Sequence, residues 1–322
     1  MGLPLKLRAV LWVHNLRPKL NLHTVTPAGF RKHNRNQLKR MSALIEDAPA
    51  EMYQIFNEHV MTTVTACKIR IYKPLAQIDL PTVVYFHGGG FVIGDLETHD
   101  NLCRRTAKDV GCIVVAVDYP RAPEYKFPDI PQVCYEVTQW IADNIGAFGG
   151  DGTRLAVMGD SAGGNLATGV CMQARAKGTP HILQQVLIYP CTDATLSGET
   201  IRTRATGYIL TTEMMQWFLN HYVTPDTDLK DPLLSPCWAT NEQLKDLPPA
   251  LIITAEYDPL CSEGTRYAER LREAGVQVTH EDYKGMVHVF FQMPRLLASG
   301  DNAQKKAFKT LRTIFGIDGI VR

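Results

Sequence analysis

Three separated stretches of this chain carry residue types that together can perform acyl transfer. Gly159-Asp160-Ser161-Ala162-Gly163-Gly164 follows the apolar run Leu155–Met158 and precedes a helical pattern through Leu166 and Val170. A serine on a sharp strand-to-helix turn presents its hydroxyl at the head of a sheet. Side chains at 159 and 163 would collide across such a turn, so glycine suits both positions. The helix that starts there also directs free N–H groups at Ser161. An isolated Gly-x-Ser-x-Gly match describes an ordinary turn equally well. Its place between strand and helix is what points to a nucleophile.

A serine hydroxyl needs a base, and the base needs an acid to orient it. Behind such a turn the partners follow in the order serine, acid, histidine. Leu251–Thr254 leads into Ala255-Glu256-Tyr257-Asp258, and Val276–His280 leads on to Gly285-Met286-Val287-His288. His288 is the expected base and Asp258 the expected acid. His221 and His280 are alternative bases, and Glu256 and Asp193 alternative acids. Asp160 touches the turn but, as the neighbour of Ser161, points elsewhere.

The third stretch is His87-Gly88-Gly89-Gly90-Phe91, directly after Val83–Phe86. A tetrahedral intermediate needs N–H donors aimed at its developing negative charge. Glycines let a loop approach that charge closely. The expected donors are Gly89 and Gly90, then Gly88, together with Ala162 after the serine. A phosphate-binding reading of the glycines fails for want of a following Lys-Ser or Lys-Thr pair. His87 reads as an anchor for the loop.

These stretches must be held by regular elements. Short apolar runs at Lys68–Tyr72, Val83–Phe86, Ile113–Val117, Leu155–Met158, Val186–Tyr189, Leu251–Thr254 and Val276–His280 alternate with helical patterns. One helix aligns Leu102, Thr106 and Val110 before Gly111. Others align Val133, Val137 and Ile141, then Tyr267, Leu271 and Ala274 after an N-cap at Ser262, and finally Ala307, Leu311 and Phe315. The pattern predicts an α/β fold with a mainly parallel sheet and helices on both faces. In such sheets sites form beyond the carboxyl ends of the strands, where the three candidate stretches fall. Residues 1–50 and about 195–235 break the alternation and read as helical cap segments over a core of 51–322.

The joint order of HGGGF at 87–91, GDSAGG at 159–164, AEYDPL at 255–260 and GMVHVFF at 285–291 resembles the hormone-sensitive-lipase-like esterases, and within them the bacterial acetyl esterases. The match runs from about Tyr72 to Phe291. It implies an α/β-hydrolase fold with an eight-stranded sheet and a helical cap. It also implies a serine carboxylesterase acting on short- to medium-chain acyl esters, with no metal or organic cofactor. One departure stands out: in Asp118-Tyr119-Pro120-Arg121-Ala122-Pro123-Glu124, Pro120 occupies the family's usual arginine position, leaving Arg121 to substitute from the next residue.

Composition bounds the remaining choices. The chain has 322 residues, 45% of them hydrophobic, and a formal charge of +1. That balance gives no reason to expect a nucleic-acid partner. Residues 1–40 hold nine Lys or Arg (Lys6, Arg8, Arg17, Lys19, Arg31, Lys32, Arg35, Lys39 and Arg40) and no acid. Such a start reads as a basic helical arm packed on an acidic body, as a membrane-surface helix or as a transit peptide. No apolar run is long enough to span a bilayer, so stable membrane insertion is not expected. The eight cysteines contain no Cys-x-x-Cys pair and suit buried thiols in a reducing cytoplasm. Oligomeric state is open, a homodimer included. A non-catalytic ligand-binding protein on the same fold stays as the alternative, as do amidase, lactonase and acyltransferase chemistry.

Overall fold

The computed structural model describes residues 2–16 and 20–317; Arg17 and Lys19 of the basic segment lie outside them. Two helices come first, α1 (Leu5–Leu16) and α2 (Pro27–Ile45), the second started by Thr26, whose side chain accepts the Gly29 N–H. Proline at the first helical position suits that start, because no N–H is lost from the helix there. Then follow β1 (Gln54–Met61), β2 (Ala66–Lys73), β3 (Leu80–Phe86), α3 (Asp100–Val110), β4 (Ile113–Asp118), α4 (Asp129–Asn144), β5 (Gly150–Asp160) and α5 (Ala162–Lys177). The chain continues through β6 (Gln184–Ile188), α6 (Glu199–Thr203), α7 (Thr212–Tyr222), α8 (Asn241–Leu244), β7 (Ala250–Tyr257), α9 (Cys261–Glu273), β8 (Val278–Val287) and α10 (Ala298–Phe315).

The strands form one eight-stranded sheet in the order β1-β2-β4-β3-β5-β6-β7-β8. β1 and β2, and β2 and β4, pair antiparallel; every later pair is parallel. Every residue of β3 and β6 is buried, as expected of strands covered on both faces. One face packs Val133 and Val137 of α4, Leu166 and Val170 of α5 and Leu271 of α9. The other packs Leu7 and Leu11 of α1, Ala107 of α3, and Leu311 and Phe315 of α10. Each such large side chain contributes roughly 1.5–3 kcal/mol on burial.

Register positions the site. Phe86 of β3 pairs with Gly159 of β5, so the glycine loop and the Ser161 turn leave the sheet side by side. Tyr257 of β7 pairs with Val287 of β8, so Asp258 and His288 leave it side by side as well.

The periodicity reading misses β1, whose half-exposed edge residues carry little apolar signal. It also stops β8 short at His280, because the strand continues through polar residues to Val287. Ser262 is not an N-cap: α9 begins at Cys261, and Ser262 Oγ instead bonds Thr200 at the start of α6. Among the described residues no helix is long and apolar enough to cross a membrane.

Candidate active site

Ser161 sits at φ 56° and ψ −119°, a conformation L-residues rarely adopt, between the end of β5 and the start of α5. The turn is held because Ser161 N–H donates to Ile188 O at 2.8 Å while its own carbonyl accepts from Cys191 N–H at 3.1 Å. A Cβ on Gly159 would lie 2.2 Å from Gly163 O, so only glycine fits that side of the turn. Backbone strain of this kind persists where the surroundings over-determine it.

The expected base and acid arrive at the serine. His288 Nε2 lies 3.1 Å from Ser161 Oγ, and His288 Nδ1 lies 2.6 Å from Asp258 Oδ2. A carboxylate only accepts, so Nδ1 carries the proton toward Asp258 and Nε2 is left to accept from the serine hydroxyl. Asp258 is fully buried, and its other oxygen accepts the Leu260 N–H at 2.9 Å. Tyr189 packs against the His288 ring with centroids 4.5 Å apart, fixing its tilt.

The glycine loop stands beside the serine, with one difference from expectation. Gly88 N–H donates to Asp160 Oδ1 at 2.9 Å, so it is already occupied and faces away from a substrate oxygen. Among the described residues nothing accepts from the N–H groups of Gly89, Gly90 or Ala162. Asp160 itself is a buried hub. Its carboxylate also accepts from Tyr85 Oη at 2.5 Å and Gln292 Nε2 at 3.0 Å, and stands 3.4 Å from His99 Nε2. Burial alone would raise the Asp160 pKa, but His99 and the Tyr85 hydroxyl hold it below the usual value. Burial alone would lower the His99 pKa, and the Asp160 carboxylate reverses that and raises it. Tyr85, His99 and Gln292 were not visible as site residues; they lie on three elements with no spacing signal between them.

His87 anchors the loop from within. It stacks on Tyr119 at 4.2 Å, its Nδ1 lies 2.8 Å from Gly88 O, and burial lowers its pKa to about 3. Arg121 reaches Gly94 O and stands 3.5 Å from Asp118, so it does serve this corner. A residue that sequence reasoning passed over ties α2 to the same corner: Arg31 donates to Val92 O and Ala122 O, each at 2.7 Å, and pairs with Glu124 at 2.6 Å.

The rival residues are engaged elsewhere. His221 packs on Trp217, and its Nδ1 donates to the Trp217 carbonyl. His280 bonds Thr254. Glu256 accepts from Gly285 N–H, and Asp193 from Thr195, Ser197 and Trp238. A cavity of about 1140 Å³ opens over Ser161 and His288, walled by Phe30, Leu210, Met214, Met215 and Phe218 and reaching α1 at Val10 and Val13.

Residues 83–292 match the family described as having the alpha/beta hydrolase fold. Ethyl acetate hydrolase of Pseudomonas putida is 34% identical over 275 residues, covering 83% of this chain and 85% of that protein. Carboxylesterase NlhH of Mycobacterium tuberculosis is 38% identical over 251 residues, covering 77% and 78% of the two chains. The solved structure of a hyperthermophilic esterase from the archaeon Pyrobaculum calidifontis superposes with a TM-score of 0.92 at 35% identity, over 98% of this chain and 99% of that one. The chain belongs to the hormone-sensitive-lipase-like esterases of the α/β-hydrolase fold.

Proposed function

We propose that this chain hydrolyses carboxylic esters through Ser161, His288 and Asp258. The reading is carried by one observation, the unbroken line from Ser161 Oγ to His288 Nε2 at 3.1 Å and from His288 Nδ1 to Asp258 Oδ2 at 2.6 Å. His288 takes the serine proton as Oγ bonds to the ester carbonyl carbon, and the carbonyl oxygen becomes an oxyanion. Gly89, Gly90 and Ala162 N–H groups receive that charge. The tetrahedral adduct expels the alkoxide, which takes the proton from His288, and an acyl-Ser161 ester is left. Water then loses a proton to His288 and attacks the acyl carbon. Collapse of the second adduct releases the acid and returns the proton to Ser161.

Residues 1–50 and about 195–235 act as a cap over this centre. Support comes from the cavity walls, which α1, α2 and α7 share with Ser161. The cavity is mainly apolar and larger than an acetyl group requires, which suits short- to medium-chain acyl esters. All eight cysteines are free thiols, six of them buried, in keeping with the reducing cytoplasm.

A fluorophosphonate probe should label the wild-type chain and leave Ser161→Ala unlabelled. Equal labelling of the two would overturn the assignment. Rates on p-nitrophenyl esters from acetate to dodecanoate would then fix the acyl preference.

A further inference from the structure

Helix α1 has two apolar faces. Leu7 and Leu11 are buried against the core. Leu5, Ala9, Trp12 and Leu16 lie along the opposite side, because steps of four, three and four residues follow a helix with about 3.6 residues per turn. That second stripe is uncovered: Leu5 is 79% exposed, Trp12 66% and Leu16 65%. Lys6 and Arg8, both exposed, project on either side of it. Among the described residues neither makes an ion pair, and the same holds for Lys32, Lys39 and Arg40 of α2. Arg31 and Arg35, by contrast, face the body and pair with Glu124 and Asp95.

We propose that this face docks on a lipid bilayer containing anionic lipid, with the α1 stripe seated among the headgroups. An exposed apolar stripe flanked by cations, on a helix too short to span, is the composition of an in-plane interfacial helix. Charge selects the occupant. Residues 1–40 hold nine cations and no anion, while the remainder holds 25 cations against 33 anions. An anionic surface therefore attracts this end and repels the rest, which orients the molecule. The placement also serves the cavity. Its lining includes the exposed Ala9 and Val13 of α1 and His33, Arg40 and Leu44 of α2, so docking would set this side of the cavity against the lipid surface. Apolar esters dissolved there would enter without crossing water. The docking itself does not depend on how Ser161 reacts.

The test uses full-length Ser161→Ala, sedimented with vesicles of phosphatidylcholine alone or mixed with phosphatidylglycerol. Binding to the mixed vesicles is expected, weakening as salt screens the cations. Trp12→Glu and the pair Lys6→Glu/Arg8→Glu should each reduce that partition by at least about tenfold. The same substitutions in the chain with Ser161 intact should leave unfolding midpoints and turnover of water-soluble p-nitrophenyl acetate unchanged, which separates docking from folding and chemistry. Failure to sediment with mixed vesicles would overturn the proposal, as would binding that survives both sets of substitutions. So would a solution dimer that Trp12→Glu converts to monomer, since the stripe would then be a contact between two copies.

Discussion

Gly88 N–H and Asp160 Oδ1 lie 2.9 Å apart, so the residue preceding the nucleophile holds the loop that faces it. This bond ties the glycine loop to the end of β5, and Tyr85, Gln292 and His99 surround the same carboxylate. Asp160→Asn keeps an oxygen for Gly88, Tyr85 and His99 but turns an amide N–H₂ toward Gln292 Nε2, where a donor already stands. We expect kcat to fall by about 10–100-fold with KM little changed, because a displaced loop forfeits donation that is stronger to the oxyanion than to the ground-state carbonyl. A fall confined to KM would show that the cluster shapes binding rather than the loop.

Gly90 tests the loop from the cavity side. It has φ +58°, and a Cβ there would lie 2.3 Å from the Phe218 ring. Gly90→Ala should therefore lower kcat/KM by about 10²–10³, the usual scale for losing one oxyanion donor. Phe218→Ala in the same chain removes the clash but leaves an alanine at positive φ, so partial recovery is expected. Steady-state rates on p-nitrophenyl butyrate for the single and double variants would read this directly. No recovery at all would place the damage in the backbone strain alone.

Glu263 gives a pH dependence of stability. It is 2% exposed; its Oε1 accepts Thr192 N–H at 2.6 Å and Asp193 N–H at 3.2 Å, while Oε2 has no partner among the described residues. Burial pushes its pKa well above the ordinary carboxyl value. A carboxyl raised in the folded state contributes stability that is complete below its unfolded pKa of about 4.3 and lost as pH climbs to the folded value. Glu263→Gln keeps the accepting oxygen and removes the ionisation. Between about pH 5 and 8 the variant should gain on the wild type steadily, as measured by chemical unfolding midpoints at each pH. A constant offset across that range would mean the carboxyl does not titrate in the fold.

The candidate site was legible where chemistry is local. Gly159–Gly164 carries its own geometric demand, Asp258 follows an apolar run closely, and His288 lies beyond one whose strand continues through polar residues to Val287. What stayed hidden is held by distant partners. Tyr85 and Gln292 lie 75 and 132 residues from Asp160, and no periodicity links positions so far apart. The same holds for Gly88, placed last among the loop donors but still counted as one, whose N–H is taken up by an Asp160 carboxylate 72 residues away. β1 escaped because an edge strand with one residue in eight fully buried lacks the apolar signature that marks β3. The basic start showed its charge in the sequence but not its division into arginines that face acids and cations that face solvent.

Arg31 is where that division has a measurable consequence. Its guanidinium satisfies two carbonyls, Val92 O and Ala122 O, besides pairing with Glu124. Glu124 is 54% exposed, so the ion pair itself contributes at most about 1 kcal/mol. The two part-buried carbonyls matter more, since leaving buried acceptors unmet costs about 1–3 kcal/mol. Arg31→Ala should therefore lower stability by roughly 1–3 kcal/mol, while Glu124→Gln should cost less than about 1 kcal/mol. Arg31→Lys should recover little, because an ammonium cannot reproduce the fork that spans both carbonyls and the carboxylate. Because Val92 follows the glycine loop directly, Arg31→Ala should also raise KM for soluble esters as α2 loosens over the cavity. Chemical unfolding and steady-state kinetics on the three variants check both effects, and equal losses for Arg31→Ala and Glu124→Gln would return the weight to the ion pair.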